Sequence, residues 1–154
     1  MESGWDGHSV RISYNKYPTL PGVILSLLQS ADKSLDEVSS SAAEAVFPAL
    51  DIIRRAGPPD EHRAELRRYI EGYLGSRIWH VREIAGRTLC SFLLRDDWVV
   101  EISRLVVDGR KLGANRLHGI LLTTRFVIER QLDLNGDVDV GMFSPTCSLS
   151  YLIA

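Results

Sequence analysis

The sequence is short of the features that most enzymes and membrane proteins carry. No apolar run approaches the roughly 18 residues that a membrane span needs; Val23–Leu28 is the longest near the start, and Ser26 interrupts it. The opening Met1-Glu2-Ser3-Gly4-Trp5-Asp6 has no basic patch leading into an apolar core, so it does not read as a secretory signal. Two cysteines, Cys90 and Cys147, make no disulfide framework, and an intracellular, reducing compartment fits them best. The histidines at 8, 62, 80 and 118 are scattered, with no Cys-x-x-Cys and no His-Glu-x-x-His, so no metal site is expected. Asp133-x-Asn135-x-Asp137-x-Asp139 has the acidic alternation of a calcium loop, but Val138 stands where glycine is needed and Ser144 where a bidentate glutamate is needed. Glycine-rich phosphate loops and a Gly-x-Ser-x-Gly elbow are missing too. No catalytic residue and no cofactor is expected.

What is present is an ordinary soluble composition, 45% hydrophobic and 25% charged over 154 residues, enough for one domain with a core. The charge is uneven. From Arg54 to Arg130 there are 15 Lys/Arg against 10 Asp/Glu, and elsewhere 3 against 10. Lys111 is the only lysine of the basic block. Arginine's planar fork suits phosphate and carboxylate, and a biased base composition of the gene would enrich it equally. Arg54, Arg55, Arg63, Arg67, Arg68, Arg77, Arg82 and Arg87 would form a phosphate-binding footprint if they shared a face. Paired with Glu65, Glu71 and Glu83, they would be solvated helix faces instead.

Residues 1–16 are aperiodic and read as loop or disorder; 17–132 carry a helical period of about six helices; 133–154 read as an irregular tail. Pro18 and Pro21 bracket the first helix start, and that helix should end near Ser30. Ser41-Ala42-Ala43-Glu44 reads as a capping box for the second, with Ser34-Leu35-Asp36-Glu37 as an earlier candidate. Pro48 should kink this helix, and Gly57 with Pro58-Pro59 should end it. Asp60 can cap the third helix, faced by Leu66, Tyr69, Ile70, Tyr73 and Leu74. Ser76 should open the fourth, with a stripe from Ile78 through Val81, Ala85, Leu89 and Phe92 and with Cys90 packed beside it. Asp96 or Asp97 caps the fifth, and Asn115 the sixth, where Leu117, Ile120, Leu121, Val127 and Ile128 should face inward. Gly119 inside that helix costs roughly 1 kcal/mol against alanine, a sign that another backbone passes close. No segment alternates with period two. A packed bundle and a solenoid both satisfy six short helices with short loops. Val81–Leu89 resembles the second helix of a HEAT repeat. The fold expected is all-α: HEAT/armadillo-like antiparallel helical repeats, an α-solenoid fragment.

Four blocks in order carry a family resemblance: Tyr17-Pro18-Thr19-Leu20-Pro21; Phe47-Pro48-Ala49-Leu50 with Ile52-Ile53; Ser76-Arg77-Ile78-Trp79-His80-Val81-Arg82-Glu83-Ile84-Ala85; and Asn115-Arg116-Leu117-His118-Gly119-Ile120-Leu121-Leu122. Together they resemble the thyroid adenoma-associated (THADA-like) family, fungal members included, over about residues 15 to 130. Gly86 departs from the family's second alanine. Arg54-Arg55-Ala56-Gly57-Pro58-Pro59 is superficially like the family's "RRSAGLP" stretch but follows the wrong block. The resemblance implies a very large helical-repeat protein, of which this chain would be a piece or a truncated gene model. It implies a cytoplasmic, non-catalytic partner of a tRNA 2′-O-ribose methyltransferase acting on the anticodon loop, with tRNA as a further partner. The alternatives are a general protein-interaction scaffold and an inactive fragment. Candidate contacts are Trp79, Arg82, Arg87, Asn115 and His118. Each also has a structural reading: Trp79 and His118 packed between repeats, Arg82 bridging helices, Asn115 capping. With about three helix pairs and no polar end caps, the isolated chain should be marginally stable.

Overall fold

The computed structural model describes residues 14–34, 40–94, 96–109 and 113–134. Besides a helical turn at 14–16, six longer helices run through them: α1 Leu20–Ser34, α2 Ser40–Ala56, α3 Arg63–Tyr73, α4 Trp79–Leu93, α5 Trp98–Gly109 and α6 Ala114–Leu134. No strand occurs among these residues. The Ser41 and Ser34 capping boxes, the calcium-like loop beyond Leu134 and Cys147 lie outside the described residues or side chains.

Helix ends follow local chemistry, sometimes through other residues than expected. Proline at the second position suits α1, which continues past Ser30 to Ser34. Residues 14–16 are already helical, and the Tyr14 hydroxyl donates to Gly57 O at 2.7 Å. Gly57, at φ 80°, ends α2 in the left-handed conformation that glycine adopts without a Cβ clash. The N-cap of α3 is His62 at φ 56°, not Asp60. The N-cap of α4 is Ile78. Ser76 Oγ instead accepts from the Ile78 amide at 3.2 Å, ordering the turn before the helix. Asp97 does cap α5, accepting from Val100 N at 3.3 Å. Asn115 sits inside the first turn of α6, and Gly113 O accepts the first bond, from Leu117 N at 3.1 Å.

Consecutive helices pair as α1–α2, α3–α4 and α5–α6, and the second helix of each pair packs on the second helix of the next. Arg63 at the start of α3 donates to Phe92 O at the end of α4, which makes that pair antiparallel. The stack is therefore two-layered, α1, α3 and α5 in one layer and α2, α4 and α6 in the other. The step from the first pair to the second is 43 and 39 residues, Leu20 to Arg63 and Ser40 to Trp79, whereas that from the second pair to the third is 35, Arg63 to Trp98 and Trp79 to Ala114. That register superposes buried positions: Ile70 on Leu105, Ala85 on Ile120, Thr88 on Thr123, Phe92 on Val127. Both threonines bond back to the carbonyl four residues earlier in their own helix. Thr88 Oγ1 lies 2.8 Å from Ile84 O and 3.1 Å from Leu50 O of α2. Thr123 Oγ1 lies 2.9 Å from Gly119 O and turns toward α4, where a Cβ on Gly86 would meet it at 3.1 Å.

Two expected inward residues of α6, Leu121 and Ile128, are exposed; Thr123 and Phe126 take the buried face instead. Ile78 is also exposed, because it precedes α4. Cys90 is buried, which pushes its thiol up to about 11 and leaves it a small apolar filler. At Gly119 a Cβ would lie 2.2 Å from Leu74 O, so the end of α3 does pass against the backbone of α6.

Gly119→Ala should therefore destabilise the fold by about 3 kcal/mol through backbone displacement. Gly22→Ala, where a Cβ meets nothing within 4 Å, should be neutral or stabilise by up to about 1 kcal/mol. Urea unfolding of both variants checks the pair; equal effects would contradict the close approach.

Candidate functional site

Helices α4 and α6 are neighbours that run parallel, shown by contacts that advance together: Arg82 with His118, Gly86 with Thr123, Arg87 with Phe126. Four of the five sequence candidates consequently gather on one rim, where these two helices begin. Arg82 is only 8% exposed. Its Nη1 donates to Ser76 O at 2.6 Å and Arg77 O at 3.1 Å, which holds the turn entering α4. Its Nε donates to His118 Nδ1 at 3.2 Å, which joins α4 to α6. An acceptor Nδ1 fixes neutral His118 as the tautomer with its proton on Nε2. Trp79 does not pack between repeats. It is 46% exposed and touches the His80 ring edge-to-face, with centroids 4.7 Å apart. Asn115 is exposed one turn before His118. Residues 74–82 and 113–128 contain no aspartate or glutamate, so the rim is rich in donors and poor in acceptors.

Arg87 stands apart from this group. Its guanidinium lies 4.2 Å from the centroid of the Phe126 ring and 3.1 Å from Glu83, so it seals the α4–α6 seam. Between α2 and α4, an open groove of about 440 Å³ is lined by Phe47, Pro48, Asp51 and Ile84; it lacks the convergent polar groups of a ligand site.

The arginine belt does not form one phosphate-binding face. Arg54 and Arg55 both pair with Asp51 at 2.7 Å. Arg63 pairs with Asp96 at 3.6 Å. Arg67 pairs with Glu71 at 2.9 Å, with Asp96 at 3.2 Å and with Glu101. Arg104 answers from α5, to Glu71 at 2.8 Å and Glu101 at 3.2 Å. The result is an ionic ladder joining α3 to α5, hinted at in sequence only by the four-residue spacing of Arg67 and Glu71. Burial opposes ionisation of Glu101, but the hydrogen bonds and charges of Arg67 and Arg104 outweigh it and hold its carboxyl below the ordinary 4.5. Periodicity did not single out Arg116. Its Nε is buried without an acceptor among the described residues. Burial, reinforced by Arg104, lowers its proton affinity against the pull of Glu71 and Asp108. Among the described residues no group of three or more His, Cys, Asp or Glu could hold a metal ion, and no helix is long and apolar enough to cross a membrane.

Stacked antiparallel helix pairs define a helical-repeat segment. The family described as "Trm732, C-terminal TPR repeats" matches residues 2–127, and the chain belongs to that family. No curated protein and no solved structure matches it. The helix-to-helix steps, 43 and 39 residues from the first pair to the second and 35 from the second to the third, span both the roughly 34 residues of a TPR unit and the roughly 40–47 of HEAT and armadillo units. The antiparallel α-solenoid architecture stands, with TPR the repeat type named by the family.

Two measurements check this electrostatic frame. Arg82→Ala should cost about 2–3 kcal/mol in urea unfolding, since two carbonyls and a ring nitrogen lose a charged donor; Arg82→Lys should recover part of it. A lowered folded pKa means that Glu101 stabilises the fold fully above its unfolded value near 4.5, and that this contribution is lost as pH falls through the folded value. Urea midpoints followed from neutral pH into that acid range should therefore fall less steeply in Glu101→Gln than in the parent chain.

Proposed function

We propose that this chain is a non-catalytic scaffold segment of a tRNA-modification complex, of the THADA-like type. A separate partner enzyme would carry out 2′-O-ribose methylation in the tRNA anticodon loop. Family membership over residues 2–127 carries the reading. The physical support is the division of labour in the fold. Its buried polar groups join helices: Thr88 bonds to the Leu50 carbonyl of α2, and Arg82 to His118 of α6. Its exposed specialised groups, Trp79 and Asn115, sit together on the rim. A helical wall displaying the exposed Trp79 suits gripping a protein partner, since tryptophan anchors contribute disproportionately to such contacts. Methyl transfer itself needs a donor site and a positioned base, and these belong to the partner. Direct contact with the tRNA is part of the same proposal, through the acid-free surface around Trp79, Arg77 and Asn115. The cytoplasm is the compartment this role requires.

The test is affinity purification of the tagged chain from its own cells with identification of the bound proteins. A tRNA ribose methyltransferase should be recovered. The double variant Trp79→Ala with Asn115→Ala should lower that recovery roughly tenfold or more without changing the thermal melt. Recovery of other proteins, with neither that enzyme nor tRNA, would make the chain a general interaction scaffold and overturn the proposal.

A further inference from the structure

Most described arginines hold a carboxylate: Arg54, Arg63, Arg67, Arg87, Arg104 and Arg125 all do. Among the described residues Arg77, Arg82 and Arg116 hold none, and all three surround one turn, Gly75-Ser76-Arg77, between α3 and α4. Arg82 grips it from α4, donating to the carbonyls of Ser76 and Arg77. Arg116 approaches from α6, with its Cδ 3.8 Å from the place a Cβ on Gly75 would take. Arg77 belongs to the turn itself and is exposed.

Arg116 is the informative member. Its Nε is buried without an acceptor among the described residues. The carboxylates whose charge reaches it, Glu71 and Asp108, are bonded elsewhere, Glu71 to Arg67 and Arg104 and Asp108 to Arg104. A buried donor without an acceptor costs stability, and folded proteins leave few of them. Methionine would cover Gly75 equally well at no such cost. The guanidinium is therefore better matched to an anion from outside the fold than to packing within it. Helices α4 and α6 both begin here and turn the positive ends of their dipoles to the same rim.

We infer that this rim binds a phosphate group of an RNA strand, held by the guanidinium forks of Arg77, Arg82 and Arg116. Planar forks suit phosphate oxygens. Trp79, two residues after Arg77 and exposed, offers the neighbouring base a ring to stack on. An acidic peptide would match the charge and leave that ring unused. Forks on a backbone phosphate read no base edge, so binding is tolerant of sequence. RNA as the source of the phosphate rests on the scaffold reading above; the arginine cluster does not.

Fluorescence anisotropy of a labelled single-stranded RNA of mixed sequence, titrated with the full chain, tests this. Arg77→Ala and Arg116→Met should each weaken binding by roughly tenfold. Each should also lower the slope of log affinity against log salt by about 0.7, one phosphate contact on a single strand. Arg116→Met should melt no lower than the parent chain, because it removes an orphaned donor. Pyrophosphate and a poly-glutamate peptide, at matched ionic strength, should displace the RNA only far above the RNA's own concentration. Unchanged affinity and slope in both variants, an Arg116→Met chain that melts lower, or displacement by either competitor at the RNA's concentration would each overturn the inference. Affinity purification after ribonuclease treatment separates the two readings. Recovery of the methyltransferase together with unaltered RNA binding by both variants sinks this site alone. Arginine-dependent RNA binding without the enzyme sinks the scaffold reading and leaves the site standing.

Discussion

Helix α4 is covered on both sides by its own layer, and that double contact organises everything else in the molecule. On one side Thr88 reaches the Leu50 carbonyl of α2. On the other Gly86 leaves room for Thr123 and Phe126 of α6. Both contacts need small side chains, because parallel helices approach closely only where no bulky Cβ substituent intervenes. A hydroxyl at 88 and 123 also finds an acceptor in its own preceding turn, so no buried polar group is left unbonded there. The core on the inner side of α4, with Val81, Ala85, Leu89 and Phe92 all fully buried, follows from this placement.

The two layers are held by different physics. The α2–α4–α6 layer is apolar and tightly stacked, whereas α3 and α5 meet through Arg67, Glu71, Glu101 and Arg104. Ion pairs at a partly exposed surface contribute little each and depend on their network. The ladder therefore orients α5 more than it stabilises it, and the apolar layer carries the stability. The rim residues inherit their positions from the apolar layer. Arg82 and His118 meet because α4 and α6 begin side by side, and Trp79 is displayed because α4 starts on an extended residue, Ile78, with no side-chain cap.

Much of this was legible in the residues. Helical spacing gave six helices; Gly57 followed by two prolines marked the end of α2; Gly119 marked a close backbone approach, which Leu74 supplies. Polar residues near helix starts were less informative. Asp60, Ser76 and Asn115 all have capping chemistry, but the cap is decided by the dihedral of the preceding residue, which fell to His62, Ile78 and Gly113. The inward reading of Leu121 and Ile128 failed because, among the described residues, no helix packs on that side of α6. The 35-residue step between the last two pairs stayed hidden because, Thr88 and Thr123 apart, it repeats burial more than residue type: Ala85 and Ile120, or Phe92 and Val127, share an environment only. The ladder could not be placed from sequence, since Arg67 and Arg104 also reach carboxylates about thirty residues away, Asp96 and Glu101 for the first and Glu71 for the second.

Amide hydrogen exchange tests the central role of α4 most directly. The slowest-exchanging amides of the chain should be those of Val81 through Leu93, which are flanked in both directions, with α1 and α5 opening earlier. Exchange in α4 as fast as in α1 or α5 would contradict the account.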